Sequence, residues 1–288
     1  MAELSLLIFT ICLQAAIGIM LFITLGKQLY KEKEFKGAAL VAAALSVVGI
    51  LASLSHLGKP LSFLNSLSNL GSSWLSNEAL LSGAFAGIAV LYALVLYLKP
   101  NQTFDTLLRW LGSAVGLVAV FSMAKLYTTT IVPVWQGINT YVDFYATTIA
   151  VGALLFIVLS LKQLQDVDKR VYGLTVLAAV VIQAAVAVPH ALSLGVEGMA
   201  AQASAAILSG MAFVVGLKWL LILAGAGILM WPSIQKAGVE LKSTSAMVYA
   251  ACACLVVGQI IGRYIFYAAV VAMDIGLIQT FVWTKSLF

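Results

Sequence analysis

Eight long apolar stretches, separated by short polar ones, run the length of this 288-residue chain. They fall at roughly 5–25, 38–57, 79–98, 107–127, 142–162, 171–192, 210–231 and 245–270. A bilayer core takes about 20 apolar residues in helical form, and each stretch supplies them. A membrane β-barrel would instead alternate apolar and polar side chains over short segments, whereas these runs are continuous. The pattern predicts an all-α integral membrane protein of about eight transmembrane helices, forming two four-helix bundles within a single polytopic domain over 1–288.

Composition sharpens this reading. Hydrophobic residues make up 62% of the protein and charged residues 9%, with a mean hydropathy of +1.06, far from the about 25% charge that clothes a soluble domain. No soluble segment is long enough to house a catalytic domain. Chemistry must therefore take place within the bilayer region or on a separate subunit. Cys12, Cys252 and Cys254 fall inside apolar runs without CxxC spacing. They read as small buried hydrophobes, and neither a metal site nor a set of iron–sulfur ligands is predicted.

The net charge of +5 reflects topology and does not point to nucleic acid. Lys27, Lys31, Lys33, Lys36, Lys99, Arg109, Lys162, Lys169, Arg170, Lys236 and Lys242 share alternate loops, leaving Lys59, Lys125, Lys218, Arg263 and Lys285 of the 16 basic residues. Positive residues favour the cytoplasmic side, which places the 27–37, 98–109, 162–170 and 232–244 loops inside and both termini outside. Met1-Ala2-Glu3 carries no basic residue, so the first stretch is expected to be a span and not a cleaved leader.

In this topology His56, Glu78, Lys125, His190, Lys218 and Arg263 all lie in the outer half, with almost no ionisable group in the inner half of the helices. An ionisable group at the centre of a span costs about 2.5–3.5 kcal/mol and tends to mark a functional path, which predicts a polar cavity opening outward. Lys125, Lys218 and Arg263 read equally well as side chains snorkelling to the interface, and His190 as a structural histidine. His56 and Glu78 bracket a stretch too polar to span, yet Leu61, Leu64, Leu67 and Leu70 recur in it at every third position. That stripe suits an amphipathic turn lying in the interface and lidding the cavity. Most of the tryptophans read as interface anchors, and Gly83-Ala84-Phe85-Ala86-Gly87 and Gly225-Ala226-Gly227 as close-packing helix faces.

His56-Leu57-Gly58-x-Pro60, Asn65-Ser66-Leu67, Gly71-x-Ser73 and Leu75-Ser76-Asn77-Glu78 resemble the membrane-anchor subunit of bacterial dimethyl sulfoxide reductase-type molybdoenzymes. Val132-Pro133-x-Trp135 and Gly262-Arg263-x-x-Phe266-Tyr267 also look like that family. The resemblance implies a multi-pass subunit of the cytoplasmic (inner) membrane that oxidises menaquinol in anaerobic respiration. It further implies two partners, an iron–sulfur electron-transfer subunit and a molybdopterin catalytic subunit, so that neither of those cofactors belongs to this protein itself. It points to His56, Gly58 and Glu78 as quinol-site residues. Where the family pattern has an arginine two positions after the proline, this sequence has Ser62, and Lys59 supplies the positive charge. Lys125 and Arg263 complete the expected quinol-binding set.

Oxidising a quinol releases two protons, and a base in hydrogen-bond reach of the hydroxyl eases each transfer. His56, neutral near pH 7, is the expected first acceptor, and Glu78 the second acceptor or the proton exit. Two other readings stay open. His56 and His190 could ligate one haem b in an electron-transfer anchor. A secondary transporter would use the outward cavity, but such proteins break their helices at mid-membrane, and Pro60, Pro100, Pro133, Pro189 and Pro232 all fall at predicted helix ends.

Overall fold

The computed structural model describes residues 2–55, 69–164, 170–234 and 241–272. In it the protein is helical: α1 (Ala2–Leu29), α2 (Lys36–Ser55), α3 (Trp74–Leu98), α4 (Gln102–Thr128), a 3₁₀ turn (Pro133–Trp135), α5 (Ile138–Leu159), α6 (Arg170–Leu194), α7 (Met199–Gly210), α8 (Ala212–Ile234) and α9 (Leu241–Ala268). All of these except the 3₁₀ turn and α7 are long and apolar enough to cross a membrane, making eight candidate spans among the described residues. The short helix α7 was not foreseen. It interrupts the polar connection between α6 and α8, and its Ala201 and Ser204 are buried.

Helix α1 lies at the centre. Leu13, Ala16, Ile17, Ile19, Met20 and Ile23 are fully buried on it, as expected for a helix that is apolar all round. It packs against α2, α4 and α5. The other close neighbours are α2–α3, α3–α4, α5–α6, α6–α8, α8–α9 and α9–α5. The loops after α1, α3 and α5 meet on one face. There Lys27, Lys31 and Arg109 surround Asp105, and the Lys33 ammonium donates to the Gln163 carbonyl.

Two glycines set the α1–α5 approach. A Cβ on Gly18 would stand 2.1 Å from the Thr148 carbonyl oxygen and 2.7 Å from the Gly152 Cα, and one on Gly152 would stand 2.3 Å from the Gly18 Cα. Backbone can come this close only where neither residue has a side chain. Gly18→Val is therefore expected to lower stability in detergent by about 1–3 kcal/mol or more. Gly83→Ala should cost nothing, because a Cβ there meets no atom within 4 Å. Thermal unfolding of the two purified variants checks this, and equal melting would refute the close-contact account.

Several expectations change here. Of the small-residue runs, Gly225 does approach α9, its Cβ position lying 2.8 Å from the Ala251 carbonyl oxygen, whereas Gly83, Gly87 and Gly227 face open space. The end of the helices away from Glu78 also holds ionisable groups. Helix α4 begins earlier than its apolar run because Asn101 caps it, its side-chain oxygen accepting from the Thr103 and Phe104 amides. This draws Asp105 and Arg109 into the helix, where both are buried and paired at 3.4 Å. Pro189 lies inside α6 instead of at its end, so the Ala185 carbonyl loses its helical donor there.

Candidate functional site

The site is built from the start of α3. Gly71 has φ +82°, a conformation open to glycine at no steric cost. Its amide donates to the Asn77 side-chain oxygen at 2.8 Å, and the Ser72 and Ser73 amides both donate to the Asn69 carbonyl. This clasp sets the entry angle of α3, so that Leu75 points outward and Ser76 and Glu78 turn inward. Glu78 is 5% exposed. Its Oε1 has no hydrogen-bond partner among the described residues. A buried polar atom left in that state calls for an explanation, a functional one included.

Two tyrosine hydroxyls lie within electrostatic reach of that carboxyl, Tyr127 at the end of α4 and Tyr267 at the end of α9. They are 2.7 Å apart and hydrogen-bonded to each other. Around them stands an aromatic wall. Trp135 stacks on Phe266 at 5.2 Å between centroids, and Tyr127 meets Trp135, Phe144 and Phe266 at tilted or edge-on angles. The Trp135 indole N–H donates to the Phe266 carbonyl at 2.7 Å. Trp135 is thus an internal brace and not an interface anchor.

Arg263 closes the wall from behind. It is 1% exposed, with its guanidinium carbon 3.8 Å from the Phe144 ring centre. It donates to the Gln14 side chain at 3.0 Å and pairs with Asp143 at 3.6 Å. Lys218 reaches the same carboxylate at 3.8 Å, and Gln183 donates to it at 2.8 Å. Neither Arg263 nor Lys218 snorkels. Lys125 is half-buried, its ammonium 5.9 Å from the Trp74 ring centre.

Asp143 was the residue that sequence reasoning missed. The rule that singled out Lys218 and Arg263 applies equally to a lone carboxylate near the start of a span, so the signal was present. Gln183 and Gln259, which bond to each other and to Asp143 or Thr147, carry no charge and gave no comparable signal. Of the expected quinol set, Glu78, Lys125 and Arg263 lie at one end of the helices. His56, Gly58 and Lys59, with Ser62 and most of the expected lid, lie outside the described residues. His190 lies in α6, and its Nε2 is hydrogen-bonded to the Val134 carbonyl at 3.1 Å.

The family model described as "DMSO reductase anchor subunit (DmsC)" matches residues 1–269. The protein belongs to this family. Among curated relatives, it is 29% identical over 229 residues to the C subunit of the anaerobic dimethyl sulfoxide reductase of Escherichia coli K12, an alignment that covers 76% of each protein. It is 26% identical over 271 residues to the anaerobic dimethyl sulfoxide reductase subunit YnfH of the same organism, covering 92% of this protein and 94% of the relative. The corresponding C subunit of Haemophilus influenzae is 32% identical over 158 residues, covering 53% of this protein and 57% of the relative. This is a multi-pass anchor subunit of the inner membrane. The buried groups around Glu78 are thus features of an anchor subunit of the DMSO reductase type.

Proposed function

We propose that this anchor binds and oxidises menaquinol and passes the electrons to an iron–sulfur subunit serving a molybdopterin reductase. The observation that carries the reading is Glu78, a buried carboxyl with one oxygen unpartnered among the described residues, in the helix that follows the His56 segment. Menaquinol gives two electrons and two protons and leaves as menaquinone. The electrons go to the partner subunit, and the protons to His56 and Glu78. The Tyr127–Tyr267 pair holds the wall beside Glu78 and offers a hydroxyl to relay or orient a proton.

The arrangement we propose is two four-helix bundles, α1–α4 and α5, α6, α8, α9, with both termini and the Glu78 end facing outward. The basic side chains that meet at the opposite face support this by the bias of positive residues toward the cytoplasm. Quinol protons are then released outside. The haem reading is disfavoured, because His190 would have to break its bond to the Val134 carbonyl before Nε2 could meet iron.

Sidedness is tested together with activity. In a cysteine-free background and in cells lacking the partner subunits, an impermeant thiol reagent should label Ser72→Cys and spare Lys162→Cys. The assembled complex should oxidise a menaquinol analogue and acidify the outer medium. The reverse labelling pattern would overturn the topology. A complex that assembles but oxidises no quinol would overturn the function.

A further inference from the structure

A second cavity of about 630 Å³ lies on the α5–α9 side, next to the Asp143 cluster. Its polar lining is Asn139, Asp143, His190, Lys218 and Ser209, and apolar residues such as Val215 and Phe266 complete it. Small-ligand sites have this size, about 300–1,000 Å³, and this mixture of apolar wall with a few convergent polar groups.

The two sets of four spans share features of sequence position. The first helix of each, α1 and α5, cross at Gly18 and Gly152. The fourth helix of each, α4 and α9, carries a tyrosine as its last residue but one, and these two tyrosines are hydrogen-bonded to each other. In sequence, His56 and His190 follow Lys36 and Arg170, the first residues of α2 and α6, by the same number of positions. In the third helices the early ionisable residue is Glu78 in α3 and Lys218 in α8. By these positions the cavity's His190 and Lys218 correspond to His56 and Glu78 of the proposed quinol site, with an ammonium where that site has a carboxyl.

Its chemistry favours acceptor oxygens. Among the described residues the cluster sets two cations, Arg263 and Lys218, against one carboxylate, and that carboxylate already faces three donors. His190 spends its Nε2–H on the Val134 carbonyl, which can only accept, so Lys218 is the charged donor left for a ligand. Gly262 makes room for the lysine: a Cβ there would lie 2.8 Å from the Lys218 Cε.

We infer that this cavity is a second quinone site, holding an oxidised naphthoquinone headgroup whose carbonyl oxygens accept from Lys218. The ligand class rests on the menaquinol reading above. The site itself does not require Glu78.

The probe is a photoactivatable naphthoquinone added to membrane vesicles that contain the assembled complex, with labelled peptides mapped by mass spectrometry. Label is expected on two separate regions, one around α3 and one between α6 and α8. Gly216 lines the second cavity, and a Cβ there meets nothing within 4 Å, so Gly216→Trp fills it without crowding the helices. That variant should cut the α6–α8 label at least tenfold while leaving the α3 label and the quinol-driven rate within twofold. Lys218→Met should weaken the same label. Label on α3 alone would overturn the inference and leave the proposed function standing. Label on α6–α8 alone would leave the second site standing and overturn the first. Label between α6 and α8 that persists in Gly216→Trp would also overturn the second site, as would label there displaced by phosphatidylglycerol but not by unlabelled naphthoquinone.

Discussion

Glu78→Gln is expected to lower quinol-driven electron transfer by about 10²-fold or more, the scale on which a positioned proton acceptor acts. The complex should still assemble. Glutamine has nearly the same shape, and a neutral amide costs less than a carboxylate to bury, so the variant should melt no lower than the parent. Electron delivery from a soluble dye to the catalytic partner should be unchanged, because it bypasses the membrane site. His56→Ala should show the same split, since the mechanism needs two acceptors. Normal oxidation of a menaquinol analogue by both variants would remove these residues from the site. Loss of dye-driven activity as well would mean that Glu78 serves assembly.

Asp143→Asn is expected to have the largest effect on stability. Asp143 faces both Arg263 and Lys218, and removing one partner of a buried ion pair costs about 3–5 kcal/mol because the other charge is left uncompensated. Arg263 has nowhere to turn, being enclosed by the Phe144 and Phe266 rings and the Gln14 amide. Thermal unfolding in detergent should therefore show a severe loss for Asp143→Asn. The loss in Asp143→Asn/Arg263→Met should be smaller than the sum of the two single changes. Additive losses would show that the pair is not coupled and that the cluster is held by packing alone.

The eight spans were legible because the bilayer imposes one requirement, a continuous apolar run, and each run is local in sequence. The family motifs were legible for a similar reason. Gly71, Asn77 and Glu78 lie close enough in sequence for one turn to set their geometry, and the structure explains each of them. Limits appeared wherever a partner comes from far along the sequence. Trp135 reads as an interface anchor until the Phe266 carbonyl is seen to accept its N–H. Gly83 and Gly87 look as suited to close packing as Gly18, and only the crossing of α1 with α5 singles out Gly18 and Gly152.

By itself, the sequence determined the membrane class, the helical spans and the clustering of basic loops, all of which follow from local hydropathy and charge. Tertiary structure alone decided that Arg263 and Lys218 turn inward to share Asp143, that Tyr127 bonds to Tyr267, and that His190 lines a cavity with Asp143 and Lys218. Whether a cation snorkels or pairs depends on which carboxylate the neighbouring helix presents at its depth. That is a matter of helix packing, and residues 75 positions apart (Asp143 and Lys218) or 120 (Asp143 and Arg263) decide it.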